Sequence, residues 1–293
     1  MGRDLYERIP AARRVFDLAA EVLGFDIARL CFEGPSEELN RTVNAQPCLL
    51  AVELAALAAV RGAGVEAGWA AGHSLGEFSA WVASGAVAVD VALRLVRRRG
   101  ELMEQAAQRN PGGMAAILGL EEDTLAEICR EAGSVVLANM NCPGQIVVSG
   151  EKEAVAAAGE RARAAGGRAI PLAVSGAFHS PLMAEADSAF RAEVEAVSVA
   201  DARIPVVANV SAEPVRQAAE IRAAMAAQMT SPVRWEASVR RLLAEGVKEF
   251  VEVGPGDVLT GLLRRIDRNA RGRAAGDPAA VAALAAEQSG GIR

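Results

Sequence analysis

Residues 72–76, Gly-His-Ser-Leu-Gly, constrain the fold of this chain more than any other stretch of its sequence. They match the G-x-S-x-G pattern of a nucleophile elbow, in which a strand turns sharply into a helix and exposes a serine. Residues 69–71 suit a short buried strand, and residues 77–82 can continue as a helix. Two glycines leave room for so tight a turn. The pattern predicts that Ser74 is a nucleophile; the alternative is a structural glycine-rich turn.

The composition excludes several classes of protein. The chain has 293 residues, 52% of them apolar, which is enough for a sizeable core. A net charge of −6 argues against nucleic acid as the main partner. The cysteines have no C-x-x-C spacing, so we expect reduced thiols of a cytoplasmic protein and no metal site. They are Cys31, Cys48, Cys129 and Cys142.

We expect no membrane segment and no secretory signal. The first residues lead directly into charged sequence, unlike a signal peptide. The most apolar run, from Cys48 to Val60, is interrupted by Glu53 and is too short to cross a bilayer.

The order of the predicted elements indicates an α/β fold with a large α/β-hydrolase-like domain. Two helices, at 4–24 and 46–61, come before any strand, which is unusual for such a domain. We assign residues 1–109 and 176–267 to this domain. We expect a loose tail over 268–293, because arginine, glycine and alanine dominate there, with a weak helical stretch at 279–287.

Residues 110–175 change rhythm and predict a small inserted domain. Apolar strand-like runs and amphipathic helical runs follow one another as β-α-β-β-α-β, the ferredoxin-like pattern. The central hairpin turns at residues 141–144, Asn-Cys-Pro-Gly, which are good turn formers.

Arg99 is predicted to face inward from a helix spanning residues 90–108. It shares one helix face with Ala92, Val96 and Met103, which are apolar. A buried arginine needs an anionic partner. That partner is either an internal carboxylate or the carboxylate of a substrate.

The sequence contains only two histidines, His73 and His179. A serine nucleophile needs a base, and histidine is the usual one. His73 adjoins Ser74, so on a sharp turn its side chain should point away from the serine. His179 is therefore the candidate base. No acid is obvious from spacing, so its orienting group is expected to be a backbone carbonyl.

Six motifs in this order closely resemble malonyl-CoA:acyl carrier protein transacylases and the related acyltransferase domains of polyketide synthases. The resemblance runs from the first residues to about Asp267. The motifs are residues 72–77 (GHSLGE), 99–103 (RGELM), 139–145 (NMNCPGQ), 177–180 (AFHS), 231–235 (SPVRW) and 252–256 (EVGPG).

The resemblance implies the roles of the central residues. Ser74 would take the malonyl group from coenzyme A as an ester, and His179 would act as base and then as acid. The main-chain carbonyl of Gln228 would orient His179. The N–H of Leu75 would bind the oxyanion, and Arg99 would pair with the malonyl carboxylate.

The resemblance also implies a set of substrate-binding residues around the cleft. Phe178 is typical of malonyl-selective members, where its bulk disfavours an α-methyl branch. The set consists of His73, Arg99, Met103, Asn139, Asn141 and Phe178.

The family pattern places one more element before the position that matches Met1. It is a strand followed by a Pro-Gly-Gln-Gly-Ser-Gln loop, whose glutamine supplies a second oxyanion donor. The sequence as given starts after this loop, by a misassigned start or by truncation. Losing one such donor reduces the rate by about 10²–10³-fold, so we expect the chain as given to be weakly active or inactive.

Two other functions stay open from the sequence. A serine hydrolase or thioesterase would use the same nucleophile with water as acceptor, but would have little need for Arg99. A truncated, non-catalytic remnant is the other. For the transferase we expect malonyl-CoA and an acidic acyl carrier protein as partners, a monomer and no cofactor. Arg264, Arg265 and Arg268 form either a docking patch or a solvated helix end.

Overall fold

The computed structural model describes residues 1–174 and 176–290, so the predicted domain boundary at Ser175 lies outside the described residues. Five helices come before the first strand, where the sequence predicted two. They are α1 (Arg3–Arg8), α2 (Pro10–Leu23), α3 (Ile27–Glu33), α4 (Ser36–Asn40) and α5 (Thr42–Gly62).

The predicted helix over 4–24 is two helices, because Pro10 has no N–H to continue the first and instead starts the second. The second predicted helix begins four residues earlier than expected and contains Pro47. Pro47 leaves the carbonyl of Val43 without its helical donor, and an N–H of Arg97 supplies a hydrogen bond of 3.1 Å in its place.

A three-stranded sheet carries the predicted elbow. It consists of β1 (Ala70–Ala71), β6 (Val206–Val207) and β7 (Pro214–Val215), in the order β1-β6-β7. β1 runs parallel to β6, and β6 runs antiparallel to β7. The strand predicted over 204–210 is thus reduced to two paired residues. After β1 the chain enters α6 (Gly76–Ala83) and then α7 (Val89–Arg109).

All six elements predicted between residues 110 and 175 are present. Their strands form one antiparallel sheet in the order β3-β4-β2-β5. The elements are β2 (Gly112–Leu118), α8 (Glu122–Ala132), β3 (Val135–Cys142), β4 (Gln145–Glu151), α9 (Lys152–Ala164) and β5 (Arg168–Pro171).

The rest of the chain returns to the first sheet and its helices. A short 3-10 turn, Pro181–Met183, precedes α10. The helices are α10 (Ala184–Ala196), α11 (Ala218–Ala227), α12 (Trp235–Ala244) and α13 (Val258–Ile266), and β8 (Glu249–Glu252) lies between α12 and α13.

The tail expected to be loose over 268–293 contains a strand that was not predicted, β9 (Arg271–Ala274), which runs parallel to β8. The weak helical stretch predicted at 279–287 is part of α14 (Pro278–Gly290). The glycines that suggested disorder permit close packing instead. A Cβ on Gly272 would lie 2.8 Å from a methyl carbon of Leu263, and one on Gly276 would lie 2.4 Å from the carbonyl oxygen of Gly254.

The main core lies among the long helices, with α5 at its centre. This helix is long and apolar enough to cross a membrane by length and composition, and it exceeds the run from Cys48 to Val60 considered in the sequence. In its most apolar window 67% is buried inside the protein. A mostly buried helix of this kind is ordinary for the centre of a helix-rich core.

Strand β3 is bound through its backbone to Val233, which lies between α11 and α12. The N–H of Met140 donates to the carbonyl of Val233 at 2.9 Å, and the N–H of Val233 donates to the carbonyl of Ala138 at 2.8 Å. Asn139 in β3 and Val233 thereby form an isolated parallel bridge. This bridge fixes the position of β3 beside the segment that leads into α12.

Candidate active site

Ser74 lies at the turn between β1 and α6, as the elbow pattern predicted. Its φ of 51° is in the left-handed region, where few residues other than glycine are found. A Cβ on Gly72 would lie 2.0 Å from the carbonyl carbon of Gly76, so the first glycine is sterically required. A Cβ on Gly76 would meet nothing within 4 Å. The expectation that both glycines are needed for space is therefore wrong for the second.

His179 faces Ser74 across the cleft. Its Nε2 lies 2.8 Å from the Ser74 Oγ. Its Nδ1 lies 3.1 Å from the carbonyl oxygen of Gln228 and 3.0 Å from that of Ser231. Because both carbonyls can only accept, Nδ1 carries the proton and Nε2 is free to accept from the serine. The sequence did not indicate the Ser231 carbonyl.

The surroundings keep the imidazole of His179 neutral. Burial lowers its pKa to about 3, and the nearby charges of Arg99 and His73 act in the same direction. The two carbonyl acceptors oppose this effect only partly. At neutral pH the ring is therefore available as a proton acceptor.

Arg99 is buried, with 2% of its surface exposed, which confirms that it faces inward from α7. One terminal nitrogen donates to the side-chain carbonyl of Gln46 at 2.6 Å, and the other lies 3.1 Å from the Ser74 Oγ. Its Nε has no hydrogen-bond partner. Burial lowers the pKa of Arg99 to about 10, although the carboxyl of Glu77 acts in the opposite direction.

No ion pair within 4.0 Å joins Arg99 to a carboxylate in the part of the chain that the structure describes. The neighbouring arginines, Arg97 and Arg98, are placed differently. Arg97 pairs with Glu101 at 2.9 Å and Arg98 with Glu193 at 3.0 Å, both near the surface. Of the two partners considered for Arg99, the geometry favours an anion from outside the chain.

A cavity of about 810 Å³ opens over these residues. Ser74, His179 and Arg99 lie on its wall, together with the candidate residues His73, Leu75, Met103, Asn139 and Phe178. Half of the other wall residues are polar or charged, and half are apolar. The apolar ones are Ala45, Leu49, Ala107, Met114, Leu172, Ala173 and Val174.

Asn141 does not line this cavity, contrary to the expectation from the family resemblance. Its Oδ1 lies 2.8 Å from the Nε2 of His73, and the ring of His73 packs edge-on against Trp235 with centroids 5.6 Å apart. His73 occupies the space between Asn141 and the cleft. Burial lowers the pKa of His73. Asn141 therefore supports His73 instead of contacting the cavity.

The N–H of Leu75 is available to a bound oxyanion. Leu75 immediately follows the nucleophile, and its N–H makes no hydrogen bond with any described residue. The preceding carbonyl, that of Ser74, accepts from the N–H of Glu77 at 3.1 Å. The first turn of α6 thus directs a free donor and its positive dipole end towards the serine.

Two polar residues below the elbow were missed by the sequence analysis. Glu77 and Asn209 are each fully buried. The N–H of Asn209 donates to Glu77 at 2.7 Å, and its side chain contacts the backbone of Gly72 and Ser74. Burial raises the pKa of Glu77 to about 7. The signal that could have identified Glu77 is a charged residue directly after the elbow glycine, at the start of a mostly apolar helix.

Within the described residues, no group of three or more His, Cys, Asp or Glu side chains is arranged to hold a metal ion.

Known proteins resemble this chain along nearly its whole length. A family model, described as an acyl transferase domain, matches residues 1–288. The malonyl CoA-acyl carrier protein transacylase of Bacillus subtilis (strain 168) is 45% identical over 286 residues, which cover 96% of this chain and 90% of that protein. That of Staphylococcus aureus (strain MRSA252) is 40% identical over 276 residues, or 92% of this chain and 89% of that protein.

Solved structures agree with these relatives. An acyl carrier protein S-malonyltransferase from Vibrio cholerae has a TM-score of 0.94 at 40% identity and covers 97% of this chain and 94% of that one. The structure of a type II PKS acyl-carrier protein in complex with its malonyl-transacylase includes a chain that has a TM-score of 0.95 at 39% identity. The match covers 98% of this chain and 94% of that one.

Proposed function

This chain belongs to the acyl transferase domain family, and on that basis we infer that it transfers malonyl groups from malonyl-CoA to an acyl carrier protein. The observation that carries the inference is Arg99. It is a buried cation 3.1 Å from the nucleophile, and it pairs with no carboxylate among the described residues. A malonyl thioester supplies the missing anion, because its carboxylate is separated from the thioester carbonyl by a single methylene group.

We propose that Ser74 attacks the thioester carbonyl while its proton passes to the Nε2 of His179. The developing oxyanion is stabilised by the N–H of Leu75. When the intermediate collapses, coenzyme A leaves as a thiolate and takes the proton from His179, and the malonyl group stays on Ser74 as an ester. The carbonyl of Gln228 orients the imidazole and stabilises its cationic form.

In the second half, the thiol of the carrier's phosphopantetheine gives its proton to His179 and attacks the ester. Ser74 then leaves and regains the proton, so the enzyme returns to its starting state. The coenzyme A thioester is a substrate, and we propose that no separate cofactor takes part. The apolar part of the cavity wall, which includes Leu49, Met114 and Val174, favours the thiol over water as acceptor, which supports transfer over hydrolysis.

The malonyl carboxylate also affects the base. Arg99 is one of the charges that lower the pKa of His179. When a carboxylate binds Arg99, it offsets that charge and makes protonation of His179 easier. The correct substrate therefore improves the base that acts on it.

The remaining site residues complete the proposed substrate pocket. Met103 and Asn139 lie on the cavity wall, and Phe178 narrows the space beside the acyl group. His73 also lies on this wall, held by Asn141. We propose that Phe178 limits branching next to the carbonyl.

We propose that the architecture is an α/β-hydrolase-like domain (1–109 and 176–267) with a ferredoxin-like insertion (110–175). The antiparallel sheet order β3-β4-β2-β5 supports the insertion. We also propose a monomer in the cytoplasm.

The acidic carrier protein needs a basic surface, and α13 offers one. The side chains of Arg264 and Arg268 are exposed and make no hydrogen bond or ion pair with other described residues. The side chain of Arg265, in contrast, donates a hydrogen bond to Gln145. We propose that Arg264 and Arg268 steer the carrier. The double variant Arg264→Glu/Arg268→Glu should raise the KM for the carrier and leave that for malonyl-CoA unchanged.

The function is tested by incubating the protein with malonyl-CoA and following it by intact-mass spectrometry. We expect a malonyl adduct that is absent from Ser74→Ala and that moves to a holo acyl carrier protein when this is added. Release of free malonate without transfer would support a thioesterase. The absence of any adduct would support a non-catalytic protein.

A further inference from the structure

Three buried polar side chains lie directly beneath the nucleophile and are exposed by 1% or less: Glu77, Asn209 and Gln228. We refer to them as the clamp. The role considered for Gln228 above involves only its main-chain carbonyl, and neither Glu77 nor Asn209 touches the cavity. The side chains of Asn209 and Gln228 nevertheless contact the backbone at Ser74 and just before it, and Glu77 joins these two residues.

Asn209 holds the backbone of the elbow. Its Oδ1 accepts from the N–H of Ser74 at 2.7 Å, and its Nδ2 donates to the carbonyl of Gly72 at 2.6 Å. These two bonds bracket the one non-glycine residue that the turn forces into the left-handed region. Since Asn209 is 135 residues away in sequence, the elbow is secured by the neighbouring strand β6 and the loop after it.

Gln228 connects the nucleophile to its base. Its side-chain Nε2 donates to the carbonyl of Ser74 at 2.9 Å and to the Oε2 of Glu77 at 2.6 Å. Both neighbours are acceptors, so the amide orientation is fixed. The main-chain carbonyl of the same residue accepts from the Nδ1 of His179. One residue thus binds the serine through its side chain and the histidine through its backbone.

Glu77 closes the clamp. Its two carboxyl oxygens accept from different partners, the N–H of Asn209 at 2.7 Å and the amide of Gln228 at 2.6 Å. No other described residue donates a hydrogen bond to this carboxyl group. The acid therefore sets the distance between the two groups that hold Ser74.

We propose that Glu77, Asn209 and Gln228 are positioning residues that set the 2.8 Å contact between Ser74 and His179, with the side-chain amide of Gln228 as the link. The clamp rests on the proposed function for the reaction it serves, but it acts on the reactivity of Ser74 towards any acylating reagent. Its test can therefore be separated from the test of that function.

The test uses two substitutions of Gln228 that keep the main-chain carbonyl. Gln228→Met removes the side-chain donor at nearly constant size. Gln228→Glu replaces the donor by a carboxyl group that can donate only when protonated. The control is Gln145→Met, a change of the same type at the hairpin between β3 and β4.

The first readout is the rate at which a fluorophosphonate labels Ser74, which needs neither malonyl-CoA nor a carrier. We expect Gln228→Met to label about 10–100-fold more slowly, because a buried hydrogen bond at the reacting group is lost. The control should stay within about twofold. In malonyl transfer, kcat should fall by the same factor while the KM for malonyl-CoA changes little.

The second readout is the labelling ratio, which is the rate of Ser74 labelling in Gln228→Glu divided by the rate in the parent, measured as a function of pH. In a buried site beside the carboxyl group of Glu77, the introduced carboxyl group should ionise only above the usual range. As pH falls from 8 to 5.5 it becomes a donor, so the labelling ratio should recover several-fold. A loss of stability alone would not recover in this way, and this arm still decides if Gln228→Met fails to fold.

The proposal is overturned if both variants label Ser74 at the parental rate, or if the ratio for Gln228→Glu stays constant between pH 8 and 5.5. A parent that labels normally and whose Gln228 variants behave as expected, yet transfers no malonyl group, would overturn the function and leave the clamp intact.

Discussion

Replacing Arg99 by alanine should convert this site from one that selects an acid-tailed acyl group into one that does not. In the structure, one terminal nitrogen of the guanidinium donates a hydrogen bond to Gln46 and the other lies close to the hydroxyl of Ser74. The Nε has no hydrogen-bond partner. The edge that carries the unpartnered Nε and one terminal nitrogen has the geometry to bind a carboxylate through two parallel hydrogen bonds.

The magnitude follows from those two bonds. A hydrogen bond to a charged group contributes about 1.5–3 kcal/mol, so two of them amount to roughly 3–5 kcal/mol once a nearby water takes up part of the loss. At 1.4 kcal/mol per tenfold, kcat/KM for malonyl-CoA should fall by a factor of roughly 10² to 4 × 10³. Acetyl-CoA has no carboxylate. Its kcat/KM should therefore fall by only about tenfold or less, because only the contact between Arg99 and Ser74 is lost.

The assay measures acyl-Ser74 formation by rapid quench and mass spectrometry, with malonyl-CoA and acetyl-CoA in parallel. Arg98→Ala is the matched control, since Arg98 lies on the same helix but pairs with Glu193 near the surface. It should affect neither substrate by more than about twofold. If Arg99→Ala lost activity towards both substrates by the same factor, the assignment of Arg99 as the residue that binds the malonyl carboxylate would be refuted.

Three further predictions concern other parts of the molecule. Gly72→Ala should unfold the elbow and abolish labelling of Ser74, whereas Gly76→Ala should keep near-parental activity and thermal stability, because only the first Cβ meets backbone atoms. Phe178→Ala should raise the use of methylmalonyl-CoA relative to malonyl-CoA several-fold in a competition assay, and an unchanged ratio would remove Phe178 from the specificity pocket. Burial raises the pKa of Glu53 from 4.5 to about 7, so the folded state holds a proton that the unfolded state has released between these values, and stability falls as pH rises through that window. Glu53→Gln should therefore flatten the decline in Tm between pH 5 and 8, and a decline as steep as the parent's would contradict the raised pKa.

The sequence predicted the features that depend on local patterns. The elbow follows from local turn chemistry. The four strands of the antiparallel sheet and the two helices between them follow from the periodicity of apolar residues. The inward face of Arg99 follows from spacing along one helix. With only two histidines in the chain, elimination alone led to His179.

Features that depend on distant segments could not be predicted. Asn209 reaches the elbow from 135 residues away, and nothing in its immediate sequence separates it from an ordinary turn asparagine. Gly272 and Gly276 suggested a loose tail because composition does not distinguish flexible glycine from glycine that permits close packing. Asn141 was assigned to the cleft by family position, but His73 lies in between.

The backbone bridge between Asn139 and Val233 restricts how the cleft can open. Its two hydrogen bonds, at 2.8 and 2.9 Å, hold β3 at a point whose own residue, Asn139, lies on the cavity wall. We expect these bonds to resist displacement of β3 away from Val233, so that the antiparallel sheet moves mainly by rotation about this point. Admission of the carrier's long prosthetic arm would then be a swinging motion about a fixed pivot. Amide hydrogen exchange at Met140 and Val233 should stay slow even while the opposite rim, at Leu172 and Val174, exchanges fast.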